Sequence, residues 1–307
     1  MRERKKLLLI ALFAVSTIMV SCSKDGQISC DMANNFEVNF TSNIITMSPR
    51  LKMGGNSWNT NDKIGVYMLD HVSTDIVESK ENILFVAQSD DVVGIFKAQS
   101  SKIYFPDNGQ EVRFMAYYPY QETVTNGIYK VDVSDQTSQS NIDLLHSFKV
   151  DTAYSKNNSS KKIPLIFKHQ LTKIIINVKE GQGISIDDLS DLTVQLSGLN
   201  TLADFNLMNK SLINPSAVDT ITTVKTLTQG EYVASYEAII IPMDEVTEGS
   251  QMVFNLKDGS VFTWNFNEAL NSSTKYVYNV TINRSEIVVE ATINDWEEGG
   301  NNDISAE

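Results

Sequence analysis

Short runs in which apolar and polar residues alternate follow one another along most of this sequence, with Asn, Asp, Gly or Pro between them. A period of two places alternate side chains on opposite faces of a strand, so one face is buried while the other stays in water. Helical periodicity appears nowhere at convincing length, and the pattern is typical of an all-β sandwich. The strands predicted in the first half are Phe36–Thr41, Ile44–Met47, Ile64–Met68, Ile83–Ala87, Gly94–Ala98, Lys102–Phe105, Glu111–Tyr118 and Gly127–Val133.

The stretch Lys161–Lys179 divides the chain. It follows the polar run Lys156–Ser160, which is typical of an interdomain connection, and it begins close to Pro164, which is tolerated at the start of a strand. We therefore predict that it is the first strand of a second domain, with one β-sandwich over residues 36–160 and another over 161–307. The other strands predicted there are Leu192–Leu196, Ala203–Leu207, Ser235–Ile241, Gln251–Leu256, Val261–Phe266, Lys275–Asn283 and Glu286–Ile293, with a hairpin turn at Asp258-Gly259 and an irregular loop over Asn209–Gln229.

Charge and composition argue against several classes of function. The 307 residues carry a formal net charge of −13, so nucleic acid is not an expected partner. The three histidines, His71, His146 and His169, are far apart in sequence, which argues against a zinc site and favours a structural role for His169. The run Asp187-Asp188 with Asp191 is consistent with a cation site or, more simply, with a capped turn. No nucleophile or nucleotide-binding motif is present, so we expect neither catalysis nor a cofactor, although carboxylate pairs assembled in space would leave no pattern in sequence.

The N-terminus has the organisation of an export signal. Basic residues at Arg2–Lys6 precede the uncharged run Leu7–Val20, which as a helix would span roughly 21 Å and is too short to cross a bilayer. Its end, Ile18-Met19-Val20-Ser21-Cys22, resembles a bacterial lipobox, which implies a signal peptide over 1–21 and lipid on Cys22. An ordinary secretory signal followed by a chance cysteine is the alternative. Residues 22–35 would be a polar leader, and its Cys30 would have no disulfide partner.

An ordered set of short motifs resembles the fimbrillin family of Bacteroidetes, the pilins of type V pili and their Mfa-like relatives. The motifs cover nearly the whole mature chain in the expected order, and each alone is only a strand with its turn. They are Trp58 with Asp62–Met68, Ile103–Pro106, Val112–Phe114, Ala116–Tyr120, Asp143–Leu145, Pro164–Lys173, Ile239–Pro242, Tyr276–Val280 and Ile293–Trp296.

The resemblance implies two tandem transthyretin-like β-sandwich domains, export as a lipoprotein to the cell outer membrane and a surface location in a fimbrium. In members that polymerise, a trypsin-like protease cuts in the loop after the first strand, and a strand from a neighbouring subunit fills the groove left behind. Mapped here, the cut follows Arg50 and removes Phe36–Thr41, with Ile44–Met47 as a further candidate. Alternatively, Arg50 is a solvated loop residue with no processing role, and Lys52 is a second basic residue close by. The strand Glu286–Ile293 would be either the donor or the last strand of its own sheet. The implied partners are other fimbrillin subunits, the outer membrane through Cys22 and the surface protease.

A second function class stays open at this point, a monomeric surface lipoprotein that binds host or dietary glycans through loops of its sandwich, or a host protein. Tyr117, Tyr118 and Tyr120 would form its contact surface, unless they pack on the core. The triplets Asp151-Thr152-Ala153 and Asp219-Thr220-Ile221 resemble O-glycosylation sites of Bacteroidetes, with Thr152 and Thr220 as the acceptors.

Overall fold

The computed structural model describes residues 36–44, 57–149, 152–157, 162–228 and 230–296. The predicted all-β class is confirmed, since the one helical element in these ranges is a short 3-10 turn at Gln139–Asn141. In the same ranges no helix has the length and apolar character needed to cross a membrane. The strands are β1 (Asn39–Ile44), β2 (Lys63–Asp70), β3 (Ile83–Ala87), β4 (Val93–Ala98), β5 (Val112–Tyr118), β6 (Ile128–Asp132), β7 (Leu145–Phe148), β8 (Lys162–His169), β9 (Thr172–Glu180), β10 (Thr193–Asn206), β11 (Ser211–Thr222), β12 (Val224–Thr226), β13 (Ala234–Ile240), β14 (Gln251–Asn255), β15 (Val261–Asn265), β16 (Thr274–Ile282) and β17 (Ile287–Asp295).

The first strands form a closed sheet in the order β1-β4-β3-β2-β5-β7-β8. Its interior is rich in aromatic rings, and the indole of Trp58 makes edge-on contacts with Phe96, Tyr118 and Phe167 at centroid distances of 5.0, 5.4 and 5.1 Å. Edge-on aromatic pairs contribute about 0.5–1.5 kcal/mol each beyond the burial of their area. Trp58 is therefore a fixed centre around which this core is packed.

The remaining strands form two sheets that face each other as a sandwich. One has the order β11-β10-β14-β15 with β6 added to β10, and the other has the order β12-β13-β9-β16-β17. Side chains from both sheets share one core, in which Trp264 of β15 lies 5.3 Å from Tyr278 of β16. The alternation predicted for β16 is confirmed, since Tyr276, Tyr278 and Val280 are all buried.

The stretch predicted to be one strand over Lys161–Lys179 is two strands, so that prediction is wrong. β8 pairs with β1 and β7 in the closed sheet, whereas β9 pairs with β13 and β16 in the sandwich. The reason is a change of phase at Gln170-Leu171: odd-numbered residues of β8 face the core, and even-numbered residues of β9 do. The domain limits 36–160 and 161–307 stay a prediction.

Other differences from the predicted strands have local causes. One long strand, β10, takes up the two predicted strands Leu192–Leu196 and Ala203–Leu207. Its pairing with β11 has two irregularities, and with them the strand continues through the residues between the predicted segments. The segment Asn209–Gln229, predicted to be an irregular loop, contains β11 and β12. β11 is an exposed strand, so it has no apolar alternation to read.

Two shorter segments also differ from the prediction. Lys102–Phe105 was predicted to be a strand, but Tyr104 makes a single bridge to Glu37. β7 has four residues and was not predicted, because three of them, Leu145–Ser147, are buried without alternation.

A side chain completes the edge of β13. The amide of Gln136 donates to the carbonyl of Ile239 at 2.8 Å and accepts from the N–H of Ile239 at 2.9 Å, and it also donates to Val133. This pattern imitates a neighbouring strand at a position that β12 does not reach. Gln136 therefore satisfies backbone groups of the sandwich from a loop that follows β6.

His146 of β7 is buried against Phe205 at 5.7 Å, and its Nε2 donates to the carbonyl of Leu207 at 2.8 Å. Burial lowers the pKa of His146 to about 4 from 6.5, partly opposed by the hydrogen bond to Leu207 and assisted by the charge of Lys210. Between these two values the unfolded chain binds the extra proton and the folded chain does not. The contribution to stability is thus complete above pH 6.5 and is lost as the pH falls towards 4.

We predict that His146→Gln flattens the pH dependence of stability. The parent should lose about 2 kcal/mol of unfolding free energy from this site between pH 7.5 and pH 5, and the variant, which has no titrating ring, should lose correspondingly less. Urea unfolding at the two pH values measures the difference. Equal losses in parent and variant would contradict the assignment.

Candidate functional site

β1 closes the first sheet by lying between two strands from distant parts of the sequence. It pairs antiparallel with β4, where Phe40 lies opposite Phe96, and parallel with β8 from Asn39–Lys162 to Ile44–Phe167. We call the channel between β4 and β8 the first-strand groove. Without β1 both flanking strands would present unpaired backbone groups, and the closed sheet would have two edges.

The side chains of β1 alternate as the sequence predicted. Val38, Phe40, Ser42 and Ile44 are all buried and form an inward row. Phe40 reaches deepest, with edge-on contacts to Phe85 at 4.9 Å and Phe114 at 5.1 Å. The strand therefore supplies part of the core as well as backbone pairing.

The residues before β1 continue the pairing on another partner. The N–H of Val38 donates to the carbonyl of Ile103 at 2.9 Å, and the N–H of Phe105 donates to Phe36 at 3.3 Å. Lys102 and Glu37 form an ion pair at 2.7 Å, which is half-exposed and contributes little in water. The predicted strand Phe36–Thr41 is thus confirmed as paired structure, and it extends to Ile44.

One cross-section of the groove, at Ser42, differs from the rest, and we call it the level of Ser42. Ser42 lies opposite Gly94 of β4, and its Oγ is buried with no hydrogen-bond partner among the described residues. In that same part of the chain the Nε1 of Trp58 is also buried and unpaired. A Cβ added to Gly94 would lie 2.6 Å from Cδ1 of Trp58, so the indole fills the space in which a side chain would stand. The sequence offers two signals of this level, a small residue in a row of large ones and a glycine within a strand, but neither predicts the contact with Trp58.

Several residues singled out in the sequence lie outside the described ranges. They are Cys22, Cys30, Arg50 and Lys52, together with the last three residues of the candidate strand Ile44–Met47. Thr152 is half-buried, and Thr220 is exposed on β11. The proposed lipidation, cleavage and glycosylation at these positions stay predictions.

β17 is the last strand of its sheet and pairs with β16 from Thr274–Asp295 to Ile282–Ile287. Ile287 and Val289 pack against the core, whereas Ala291 and Ile293, on the same face of the strand, are exposed, Ile293 by 52%. We call these four residues the inward row of β17. The indole of the following residue, Trp296, stacks on the ring of His169 at 3.9 Å. Its role as a donor stays a prediction.

His169 has a structural environment. It is fully buried, and its Nδ1 lies 2.8 Å from a carboxylate oxygen of Asp143. Together with the stacked Trp296, this pair fixes the point where the chain passes from β8 to β9. The structural role predicted for His169 is confirmed.

The acidic turn after β9 is a capped turn. A carboxylate oxygen of Asp188 accepts from the N–H and the hydroxyl of Ser185, both at 2.8 Å, while Lys257 pairs with Asp187 at 3.0 Å. The hydrogen bond from the Ser185 N–H is the main reason that the pKa of Asp188 is lowered. No group of His, Cys, Asp or Glu side chains suited to a metal ion occurs in the described ranges.

The three tyrosines around Pro119 pack on the core. Tyr117 and Tyr118 are buried, and Tyr120 is half-buried against the sandwich core. The hydroxyl of Tyr117 donates to Asn82 at 2.7 Å, and burial raises the pKa of both buried phenols. The packing interpretation is therefore confirmed.

Comparison with known proteins assigns a family. The family model described as fimbrillin-like matches residues 50–296. The chain is 30% identical over 304 residues to Fim1C of Bacteroides uniformis, a candidate fimbrium subunit, and the match covers 96% of each chain.

Two crystal structures are similar to the fold. Both are candidate cell adhesion proteins, one from Bacteroides uniformis and one from Bacteroides ovatus. The first has a TM-score of 0.71 at 28% identity and covers 86% of this chain and 99% of that chain. The second has a TM-score of 0.64 at 21% identity, covers 85% of this chain and 98% of that chain, and supports the fold alone. Because the family model and the Fim1C match each cover most of the sequence, the chain belongs to the fimbrillin-like family.

Proposed function

We propose that this protein is a structural subunit or an associated adhesin of a surface fimbrium, assembled by donor-strand exchange at the first-strand groove. The observation that carries the proposal is the position of β1, which is inserted between β4 and β8 and supplies buried side chains to the core. A strand in such a position can be replaced by another strand that offers the same pairing and the same row of side chains.

Loss of β1 from the groove would lower the free energy of unfolding of the subunit. Burying one large apolar side chain contributes about 1.5–3 kcal/mol, so Val38, Phe40 and Ile44 together contribute about 5–9 kcal/mol. The whole stability of a domain is about 5–15 kcal/mol. A subunit that loses β1 therefore needs a replacement strand, and the replacement links it to its neighbour.

The chemistry of processing follows from the sequence between β1 and β2. Arg50 lies in this connection, and a trypsin-like protease cuts after Arg or Lys, so a cut there would separate β1 from the rest of the chain. Cys22 precedes β1, so the same cut would remove the covalent link between the subunit and a lipid at that residue. After export as an outer-membrane lipoprotein and cleavage at the surface, β1 would be held in the groove by non-covalent contacts alone and could be exchanged for a strand of a neighbouring subunit.

The donor strand that we favour is β17 of a neighbouring subunit. It pairs on one side with β16, and no strand of the described chain pairs with its other side. Its inward row is apolar and partly exposed, so transfer into a groove would bury more of it.

A monomeric glycan-binding lipoprotein is the second candidate. The observation that favours it is a shallow cleft on β2, β3 and β4, in which amide and amine side chains could form hydrogen bonds with sugar hydroxyls. The cleft is lined by Asn61, Lys63, Val86, Gln88, Lys97, Ala98 and Gln99. Such a protein would stay monomeric after limited trypsin digestion and would bind glycans saturably, whereas a fimbrial subunit would form a ladder of polymers.

Cleavage after Arg50 is tested on intact cells that carry a trypsin-like surface protease. We predict that shaved surface protein begins at Leu51, and that Arg50→Gln combined with Lys52→Gln abolishes both this terminus and the polymer ladder, because the basic side chains that the protease recognises are gone. N-terminal mass analysis and gel electrophoresis give the two readouts. Lys225→Gln, which removes an exposed lysine from β12, is the matched control and should change neither. Recovery from parent cells of nothing but lipid-bearing chains that start at Cys22 would refute the cleavage.

Lipidation is tested by Cys22→Ala. Because the thiol is the acceptor of the lipid, the variant should lose the mass of the acyl groups and leave the outer-membrane fraction, while Cys30→Ala should behave as the parent does. Mass spectrometry of the N-terminal peptide and cell fractionation make the measurement. A Cys22→Ala protein that stays in the outer membrane would show that another feature anchors it.

A further inference from the structure

The floor of the first-strand groove at the level of Ser42 is rigid. Trp58 is held by three edge-on aromatic contacts, and its backbone exchanges hydrogen bonds with Asp91 at 2.9 and 3.1 Å. A side chain fixed on both sides in this way does not move aside for a larger neighbour without loss of packing.

The space above this floor is small. The position that a Cβ on Gly94 would take lies 2.6 Å from Trp58 and 2.6 Å from Phe96. Directly opposed residues on antiparallel strands hold their Cβ atoms about 4.5–5.5 Å apart. Because Ser42 is opposite Gly94, a longer side chain at position 42 would extend across the pair towards the space that the indole occupies.

The serine at this level is small enough for the space, but its hydroxyl group is unfavourable there. The hydroxyl of Ser42 is buried, and the described chain offers it no hydrogen-bond partner. A buried hydroxyl without a partner is destabilising relative to a methyl group of similar size. β1 is therefore a less than optimal occupant of its own groove, and a strand with alanine at this level would fit better.

β17 carries such a row. The row Ile287, Val289, Ala291 and Ile293 has three larger apolar residues with the small residue third, as does the row Val38, Phe40, Ser42 and Ile44. The last residues of the two rows differ in exposure: Ile293 is 52% exposed in its own sheet, whereas Ile44 is 5% exposed in the groove. Transfer of the row would thus bury apolar surface and remove an unpaired hydroxyl.

We propose that the groove selects its occupant by size at the level of Ser42, opposite Gly94 and above Trp58, and that Ala291 of a second copy is the residue that fits there. This inference rests on the proposed donor-strand exchange for its biological role. The size limit itself is a property of the groove and is tested separately.

The first test uses the intact chain. Ser42→Ala should lower the equilibrium constant for unfolding about tenfold, since it removes the unpaired hydroxyl. Ser42→Leu should raise the same constant at least about tenfold through overpacking, and Asn43→Leu, which adds similar bulk to an exposed position of β1, should change it much less. Urea unfolding measures all three. If Ser42→Ala is no more stable than the parent, or Ser42→Leu is as stable as Asn43→Leu, the size limit is wrong.

The second test measures exchange. A protein with a specific protease site placed within residues 45–56 is cut, so that β1 stays bound but is no longer linked. Peptides that cover residues 286–296 are added, and released β1 is measured by mass spectrometry. The parent peptide and a peptide with Thr292→Leu, on the outward face, should release β1 at similar rates, and a peptide with Ala291→Leu should be at least about tenfold slower.

The outcomes separate the two ideas. Equal release by the Ala291→Leu peptide would overturn selection by size in exchange. Failure of all three peptides, with the expected results from the intact variants, would leave the size limit standing, overturn the role of Ala291 and count against β17 as the donor strand in the proposed function.

Discussion

The first sheet closes only because a strand from the start of the chain lies between β4 and β8. Two backbone edges and an apolar core all depend on that one strand, and the short segment Asn39–Ile44 therefore carries a large share of the stability. Its neighbours come from other parts of the sequence, so the pairing has a high loop-closure cost that the buried row must offset. Removal of such a strand would lower the stability of the domain substantially. Another strand could replace it, since its contacts are the backbone hydrogen bonds of a regular sheet and four buried side chains.

The sequence predicted this strand better than it predicted the strands that have no core face. Val38 and Phe40 alternate with polar residues, and the structure buries both. β11 was missed because an exposed strand needs no apolar alternation, and its backbone conformation is set by pairing with β10. At Gln170-Leu171 the apolar residues change from odd-numbered to even-numbered positions, and this change can be seen in the sequence. The alternation alone does not predict that the chain enters another sheet there.

The candidate site was predictable in position and hidden in detail. The family resemblance implied the first strand and a cleavage site after Arg50. The level of Ser42, Gly94 and Trp58 depends on three residues that are far apart in sequence and meet only when β1 pairs with β4. The small Ser42 and the strand glycine Gly94 can be seen in the sequence, but the indole that fills the space at Gly94 and the unpaired hydroxyl of Ser42 cannot, because both are properties of packing.

Under the proposed mechanism, the imperfect fit of β1 has a kinetic meaning. Cleavage after Arg50 would break one peptide bond and none of the hydrogen bonds of β1, so the groove would stay filled and the apolar core would stay covered until another strand arrives. An occupant with an alanine at position 42 would be held more tightly and would delay assembly, whereas one with a large residue would not close the sheet. Serine lies between these limits: it is small enough to protect the subunit during export, and its unpaired hydroxyl favours exchange for a strand that has a methyl group at the same level.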